Sequence, residues 1–220
     1  MSDVFDEYVS LGWYCGTAAS MSKHGLRSNS GPFDWGFSEL GGGLQCLDND
    51  FEGFLDRKNL ECLQDREKAF QDVRYGLRFI HDIKNDLEND YDEIYDKYMR
   101  RIELFRKKVL SGMRICYIRA VWNAEELSYI VENEEYIVSL IQKGNANNEI
   151  IFLIPAYIKV PENFKFISFK LNITWYDGGT AEKLRNLFDT NNEIVSFCIE
   201  HFDKEKRERN ILFDMQKVKR

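Results

Sequence analysis

The chain has 220 residues, 44% of them hydrophobic, with 16 Phe and 11 Tyr but only 3 Pro. That is enough apolar material for one packed domain, which excludes a disordered or linker-rich chain. A formal net charge of −7 argues against nucleic acid as a partner, because phosphate binding normally shows as a basic surplus. Five cysteines (15, 46, 62, 116, 198) form no CxxC pair or close-spaced framework, as expected of free thiols in a reducing compartment. The acidic start lacks a basic region followed by an apolar one, and the longest apolar run, Ile150 to Ile158, is too short for a bilayer. A cytoplasmic protein without a membrane span is expected.

Along the chain, Tyr8 to Leu11 reads as a strand that breaks at Gly12. A helix comes next, with Cys15 near its first turn and its end at Gly25. Arg27 to Trp35 reads as a turn around Gly31-Pro32, with Phe33 and Trp35 seeking burial on either side of Asp34. Residues 38–74 read as a helical insertion in which Gly41-Gly42-Gly43 is a flexible loop, and Leu77 to Ile80 as a strand. From Leu87 to Leu110, apolar residues recur at steps of three and four: Leu87, Tyr91, Ile94, Tyr98, Ile102, Phe105 and Val109. This predicts one long amphipathic helix, with Asn85 and Glu88 as a capping pair and acidic and basic halves ordered to suit the helix dipole.

Strands are expected at Arg114 to Ala120, Ile150 to Ile154, Phe164 to Phe169 and Ile173 to Tyr176, and helices at about 124–142 and 182–202. The stretch 203–220 carries a local basic surplus and reads as a solvated helix or tail. Alternating strands and helices imply a single α/β domain over 1–220, its mostly parallel sheet covered by helices on both faces. The strands after Gly112 and Glu149 should then run parallel to the one ending at Leu11.

In such sheets chemistry collects beyond the carboxyl ends of the strands. Cys15 sits where unpaired N–H groups of a helix start favour thiolate over thiol, which makes it a candidate nucleophile. A thiolate mechanism needs an imidazole and a group to orient it. Of the three histidines, His24 lies two turns along the Cys15 helix and His201 lies among charges, leaving His81 at a strand end as the candidate base. Asp177, Asp34 or Asp82 could orient it, Asp82 ranking below Asp177 because neighbours in an extended segment point apart. Arg27, Ser30, Asp34 and Trp35 form either a substrate-facing wall or a turn in which Arg27 pairs with Asp34. Arg119 ends a strand at the same edge and either holds an anion, with Arg27 or Arg100, or pairs with Asp34 or Asp82. No metal-ligand spacing is present, so no metal is expected.

Ser10-Leu11-Gly12-x-x-Cys15, Gly25-Leu26-Arg27-x-x-Ser30-x-Pro32-Phe33-Asp34-Trp35, Phe79-Ile80-His81-Asp82 and Tyr98-Met99-Arg100-Arg101-Ile102 together resemble a bacterial domain-of-unknown-function family catalogued as papain-like cysteine peptidases. The likeness covers about residues 7 to 160. It implies a nucleophile at Cys15 and a histidine partner at His81, and offers a papain-like α+β arrangement, a helical lobe against an antiparallel barrel, as the alternative fold. It also implies kinship with capsule-cluster proteins that bind coenzyme A, so the reaction is amide or ester hydrolysis or acyl transfer. No cofactor is then required, although coenzyme A or an acyl-coenzyme A would be a possible substrate beside small molecules, peptides and glycans. A non-catalytic binding or scaffold role in cell-surface polysaccharide biosynthesis is the competing expectation.

Overall fold

The computed structural model describes residues 4–173 and 186–218, of which 213–218 are considered for their backbone course alone. Four strands form a parallel sheet in the order β1-β6-β7-β8: β1 (Glu7–Ser10), β6 (Ile115–Ala120), β7 (Glu149–Pro155) and β8 (Ile167–Leu171). Tyr8 stands beside Cys116, Cys116 beside Glu149, and Ile151 beside Ile167, all in parallel register. The expected α/β architecture is therefore present, with the strands after Gly112 and Glu149 parallel to the one ending near Leu11.

The alternation of side chains assigns each face its cover. Cys116, Ile118, Ala120, Ile151 and Leu153 pack with Tyr14 and Met21 of the α1 region (α1, Cys15–Lys23) and with Ile194 and Cys198 of a later helix, Asn192–Glu200. Ile115, Tyr117, Ile150, Phe152 and Ile154 face the other way. They meet Ile94, Tyr98, Ile102 and Phe105 of α3 (Leu87–Leu110), and Ile130, Ile137 and Ile141 of α4 (Ala124–Glu132) and α5 (Glu134–Ile141). Both β6 and β7 read as continuous apolar runs because both of their faces are buried. After Asn192–Glu200 (α6) a last helix, α7 (Lys204–Val218), packs on α1.

Several expectations need correcting. Residues 38–74 are not helical throughout. One helix, α2 (Leu40–Asp48), is succeeded by short strands β3 (Leu60–Cys62) and β4 (Phe70–Asp72), which join β2 (Gly36–Ser38) and β5 (Leu77–Phe79) in an antiparallel sheet ordered β2-β5-β4-β3. Strands of three residues are too short to show a period of two, so pairing rather than pattern decides them. The long helix is capped by Asp86, whose Oδ1 accepts from the Asn89 N–H at 2.9 Å, and not by Asn85, whose N–H and amide go to Asp90. The run 124–142 divides at Asn133, whose side-chain amide donates to the Tyr129 carbonyl at 2.8 Å. The fourth parallel strand begins at Ile167, three residues later than expected. The expected strand ending at Tyr176 and the start of the helix at 182 fall outside the described residues. A 3-10 turn at Leu187–Thr190 then leads into α6.

Gly41-Gly42-Gly43 is a helical turn of α2 rather than a loop, and the reason is close approach. A Cβ on Gly42 would lie 1.8 Å from the Tyr75 carbonyl oxygen, whereas one on Gly41 would meet the end of the Tyr129 side chain, its hydroxyl at 3.6 Å. Gly42→Ala should therefore lose about 2 kcal/mol or more, the cost of forcing a methyl into a packed contact. Gly41→Ala should be neutral or gain up to about 1 kcal/mol from helix propensity. Urea denaturation of the two variants checks the contrast, and equal effects would refute the packing argument.

Candidate active site

The carboxyl edge of the parallel sheet is organised by one buried side chain. Arg119, fully enclosed near the end of β6, donates from Nη1 to the Leu11 carbonyl at 2.9 Å and to Ser38 Oγ at 3.1 Å. Its Nη2 donates to the Ser38 carbonyl at 2.7 Å, and its Nε to Glu126 Oε1 at 2.7 Å. Neither Asp34 nor Asp82 is its partner; the carboxylate comes from Glu126, seven residues on, at the start of α4. The other oxygen of Glu126 accepts the Trp122 N–H at 2.7 Å. Ser38 Oγ accepts from the Trp13 N–H at 3.3 Å, and the Ser38 N–H donates to the Trp13 carbonyl at 3.2 Å.

Two tryptophans are thus placed by the same hub, and their rings lie 4.1 Å apart at 33°. Phe37 closes edge-on against Trp13 at 5.5 Å. These rings line a groove of about 790 Å³ between the two sheets, with Arg66, Arg78 and Tyr129 on its other walls. Trp13 holds a φ of 67°, a left-handed conformation that is uncommon for a bulky residue, and it comes directly after Gly12 at 81°. Gly12 is required there, since a Cβ would lie 2.4 Å from Ser38 Oγ. The strained pair turns the chain from β1 into α1 and sets Cys15 as its first residue.

Cys15 is half-buried on the α1 side of the sheet. The residue before it, Tyr14, offers no side-chain cap, and the first turn of α1 carries no acidic residue. Among the five free thiols this distinguishes it. Burial pushes the Cys198 thiol up to about 12 and raises Cys116 and Cys46 well above the ordinary range, while Cys62 is exposed on β3.

The other expected site residues fall into separate groups. His81 is exposed beyond the end of β5, on the antiparallel sheet, whereas Cys15 packs on the α1 side of the parallel one. Its neighbour Asp82 is buried and committed to α3: it pairs with Lys97 and accepts from the Tyr98 hydroxyl at 3.1 Å. Burial, and then the Asp82 charge, raise the Tyr98 phenol so that it stays a donor. Arg27, Ser30, Asp34 and Trp35 do come together. Arg27 pairs with Asp34 and donates to Ser30 Oγ at 3.0 Å, which also accepts the Trp35 indole N–H at 3.1 Å. Arg27, Ser30 and Asp34 of that cluster line a pocket distinct from the groove, beside β1 and α3. Asp177 lies outside the described residues. His24 bonds Asp189 at 2.8 Å, and His201, half-buried rather than on the surface, bonds the Phe197 carbonyl at 2.8 Å and stacks on that ring. Trp122, Ser38 and Glu126 were absent from the sequence-based site, although Trp122 occupies the strand-end position the carboxyl-edge rule selects.

The fold and this edge define an α/β protein with a cysteine at a strand-to-helix turn beside an aromatic groove. The chain belongs to the family described as "Putative papain-like cysteine peptidase (DUF1796)", whose model matches residues 6–155. That span holds Cys15, the hub and the groove, and stops at the end of β7. The chain is also similar to "Uncharacterized protein R408" of Acanthamoeba polyphaga mimivirus, at 28% identity over 181 residues, covering 72% of this chain and 80% of the relative. No solved structure matches. Among the described residues, no helix is long and apolar enough to cross a membrane.

Two measurements check these contacts. Glu126→Ala leaves the buried Arg119 uncompensated and should cost about 3 kcal/mol in urea denaturation, the scale of a broken buried pair, with altered tryptophan fluorescence as Trp122 loses its anchor. An aromatic disulfide reagent at pH 8 should titrate Cys15 and Cys62 in the native protein and all five thiols in denaturant. Native reaction at Cys116 or Cys198 would contradict their burial.

Proposed function

We propose that the protein is a thiol-dependent enzyme of amide or ester hydrolysis or acyl transfer, with Cys15 as its nucleophile. The observation that carries this reading is the position of Cys15: first residue of α1, half-buried, behind a strained turn at Trp13, with no side-chain cap competing for the helix N–H groups. Those groups favour a thiolate, and after attack on a carbonyl they are suited to hold the developing oxyanion. The substrate would lie toward the groove that opens at Trp13, two residues away, where aromatic faces and Arg66 and Arg78 offer apolar and anionic contacts.

His81 is proposed as the acid and base that returns a proton to the leaving group, with Asp177 to orient it. The pairing requires the His81 segment to approach Cys15 when substrate binds, with Asp82 acting as the anchor on α3 about which it moves. Hydrolysis and acyl transfer share this chemistry and differ in the acceptor, water or a hydroxyl. Coenzyme A thioesters would be the natural donors for transfer, and peptides or small esters the substrates for hydrolysis.

The tether of Asp82 to Lys97 and Tyr98, on the α3 side of the sheet, favours a second reading: a binding or scaffold protein in which Cys15 performs no reaction. One experiment separates the two. Iodoacetamide should alkylate Cys15 at pH 6 at least tenfold faster than Cys62, whose thiol is exposed in the same protein. Under the first reading Cys15→Ser should abolish turnover of activated esters and acyl thioesters while leaving the melting temperature unchanged. Equal alkylation rates, or an unaffected turnover, would leave the binding reading in place.

A further inference from the structure

Away from the groove, α3 presents Arg101, Leu104, Phe105 and Lys108 on one face, at the i, i+3, i+4 and i+7 spacing of a helical stripe. They face the turn that carries Arg27, Ser30 and Asp34, across the middle of the edge strand β1, and enclose a small pocket whose interior is about 20 Å³. That is room for one water-sized group. Leu104, 41% exposed, stands at its mouth. None of these residues lines the groove, so this pocket does not depend on the role of Cys15.

Its charges do not balance. Arg27 is neutralised by Asp34, the single carboxylate among the lining residues. Glu7, buried just beyond, sits 3.4 Å from both Lys108 and Lys206 and so serves two lysines with one charge. Asp82, behind Tyr98, is taken by Lys97. Arg101 stacks its guanidinium over the Tyr98 ring at 4.7 Å, and its Nη1 is buried without a hydrogen-bond partner. A buried guanidinium N–H left unmade is costly, since the donor has given up water and gained nothing. Arg101, in no ion pair among the described residues, and two lysines on one carboxylate leave an excess of about two positive charges around a cavity that admits a single oxygen-sized group.

We propose that this pocket binds a phosphate group. One phosphate oxygen would enter and accept from Arg101 Nη1, while the remaining oxygens lie at the mouth within reach of the Lys108 ammonium. A dianion meets the two uncompensated charges, and a guanidinium fork suits its geometry. Arg27 would act through Asp34 and Ser30, by holding the turn that forms the opposite wall. The occupant is free phosphate or a phosphomonoester, which the same contacts would serve.

Isothermal titration of the full chain with orthophosphate, and separately with phenyl phosphate, at constant ionic strength set by chloride, tests the proposal. The expected result is saturable 1:1 binding of orthophosphate, of phenyl phosphate or of both, the pattern deciding between free and esterified phosphate. Arg101→Gln should weaken it about tenfold or more, the scale of a lost charge-assisted hydrogen bond, and Lys108→Gln by a smaller factor. Lys108 is partly exposed, so its variant tests the site even if Arg101→Gln fails to fold. Phosphate should also raise the melting temperature of the wild-type protein above that in equivalent chloride. Absence of saturable binding by either compound would show that the pocket holds water alone, and unchanged affinity in both variants would place the phosphate elsewhere. Either result overturns the proposal.

Discussion

Arg119 is the constraint on which the working edge of this protein depends. An arginine with no exposed surface carries a desolvation cost of several kcal/mol, recovered only when its charge is paired and its donors are all used. Here Glu126 supplies the charge, and the Leu11 and Ser38 carbonyls and the Ser38 hydroxyl take the remaining bonds. The consequence is geometric. Leu11 directly follows β1, Ser38 ends β2 and Glu126 lies in the first turn of α4, so one planar guanidinium fixes the antiparallel sheet against the parallel one. A lysine could keep the charge but not the fork, and at least two of these bonds would be lost.

The same hub explains why the loop into α1 tolerates strain. Trp13 at a positive φ costs of order 1–3 kcal/mol, a conformation that persists only when its surroundings over-determine it. Both its N–H and its carbonyl are bound by Ser38, and its ring is fixed by Trp122 and Phe37. Ser38 is in turn held by Arg119. The position of Cys15 at the head of α1 is thus set by contacts made through residues 23 and 104 positions further along the chain. Preorganisation of this kind is what the proposed nucleophile would require.

Much of the frame was legible in the sequence, because long elements carry their own periodicity. The 24-residue helix α3 showed its buried stripe, and β6 and β7 showed the largely apolar runs of strands covered on both faces, with Arg119 the charged residue inside β6. The antiparallel sheet was not legible: its strands have three residues each, and their pairing joins segments up to 43 positions apart. Gly41 to Gly43 looked like a loop because three glycines are poor helix formers, and only the Tyr75 carbonyl, remote in sequence, shows why Gly42 must lack a side chain. Arg119 was recognised as significant and given the wrong carboxylate. Glu126 was overlooked because a residue one strand-end loop and one helix cap away has no fixed spatial relation in sequence terms. Cys15 and the cluster of Arg27, Ser30, Asp34 and Trp35 were each visible as motifs, but the motifs alone gave no sign that Arg27, Ser30 and Asp34 line a pocket apart from the groove that opens at Trp13.

That separation bears on how the proposed chemistry would sit on this architecture. In the proposed reaction a thiolate favoured by a helix terminus would need no imidazole for its ionisation, whatever the position of His81. The histidine is needed later, when a leaving amine or alcohol must be protonated, and that requirement varies with the substrate. An amide leaving group demands a proton in the transition state, whereas a thioester expels a thiolate that is stable without one. Under the proposed reading, an arrangement with Cys15 fixed through the Arg119 hub and His81 on an exposed segment, anchored one residue away by Asp82, would suit thioester and activated-ester substrates first. It would suit amides only with His81 brought to Cys15. In that proposal the Cys15 half would serve every acyl substrate, and the approach of His81 would select among them.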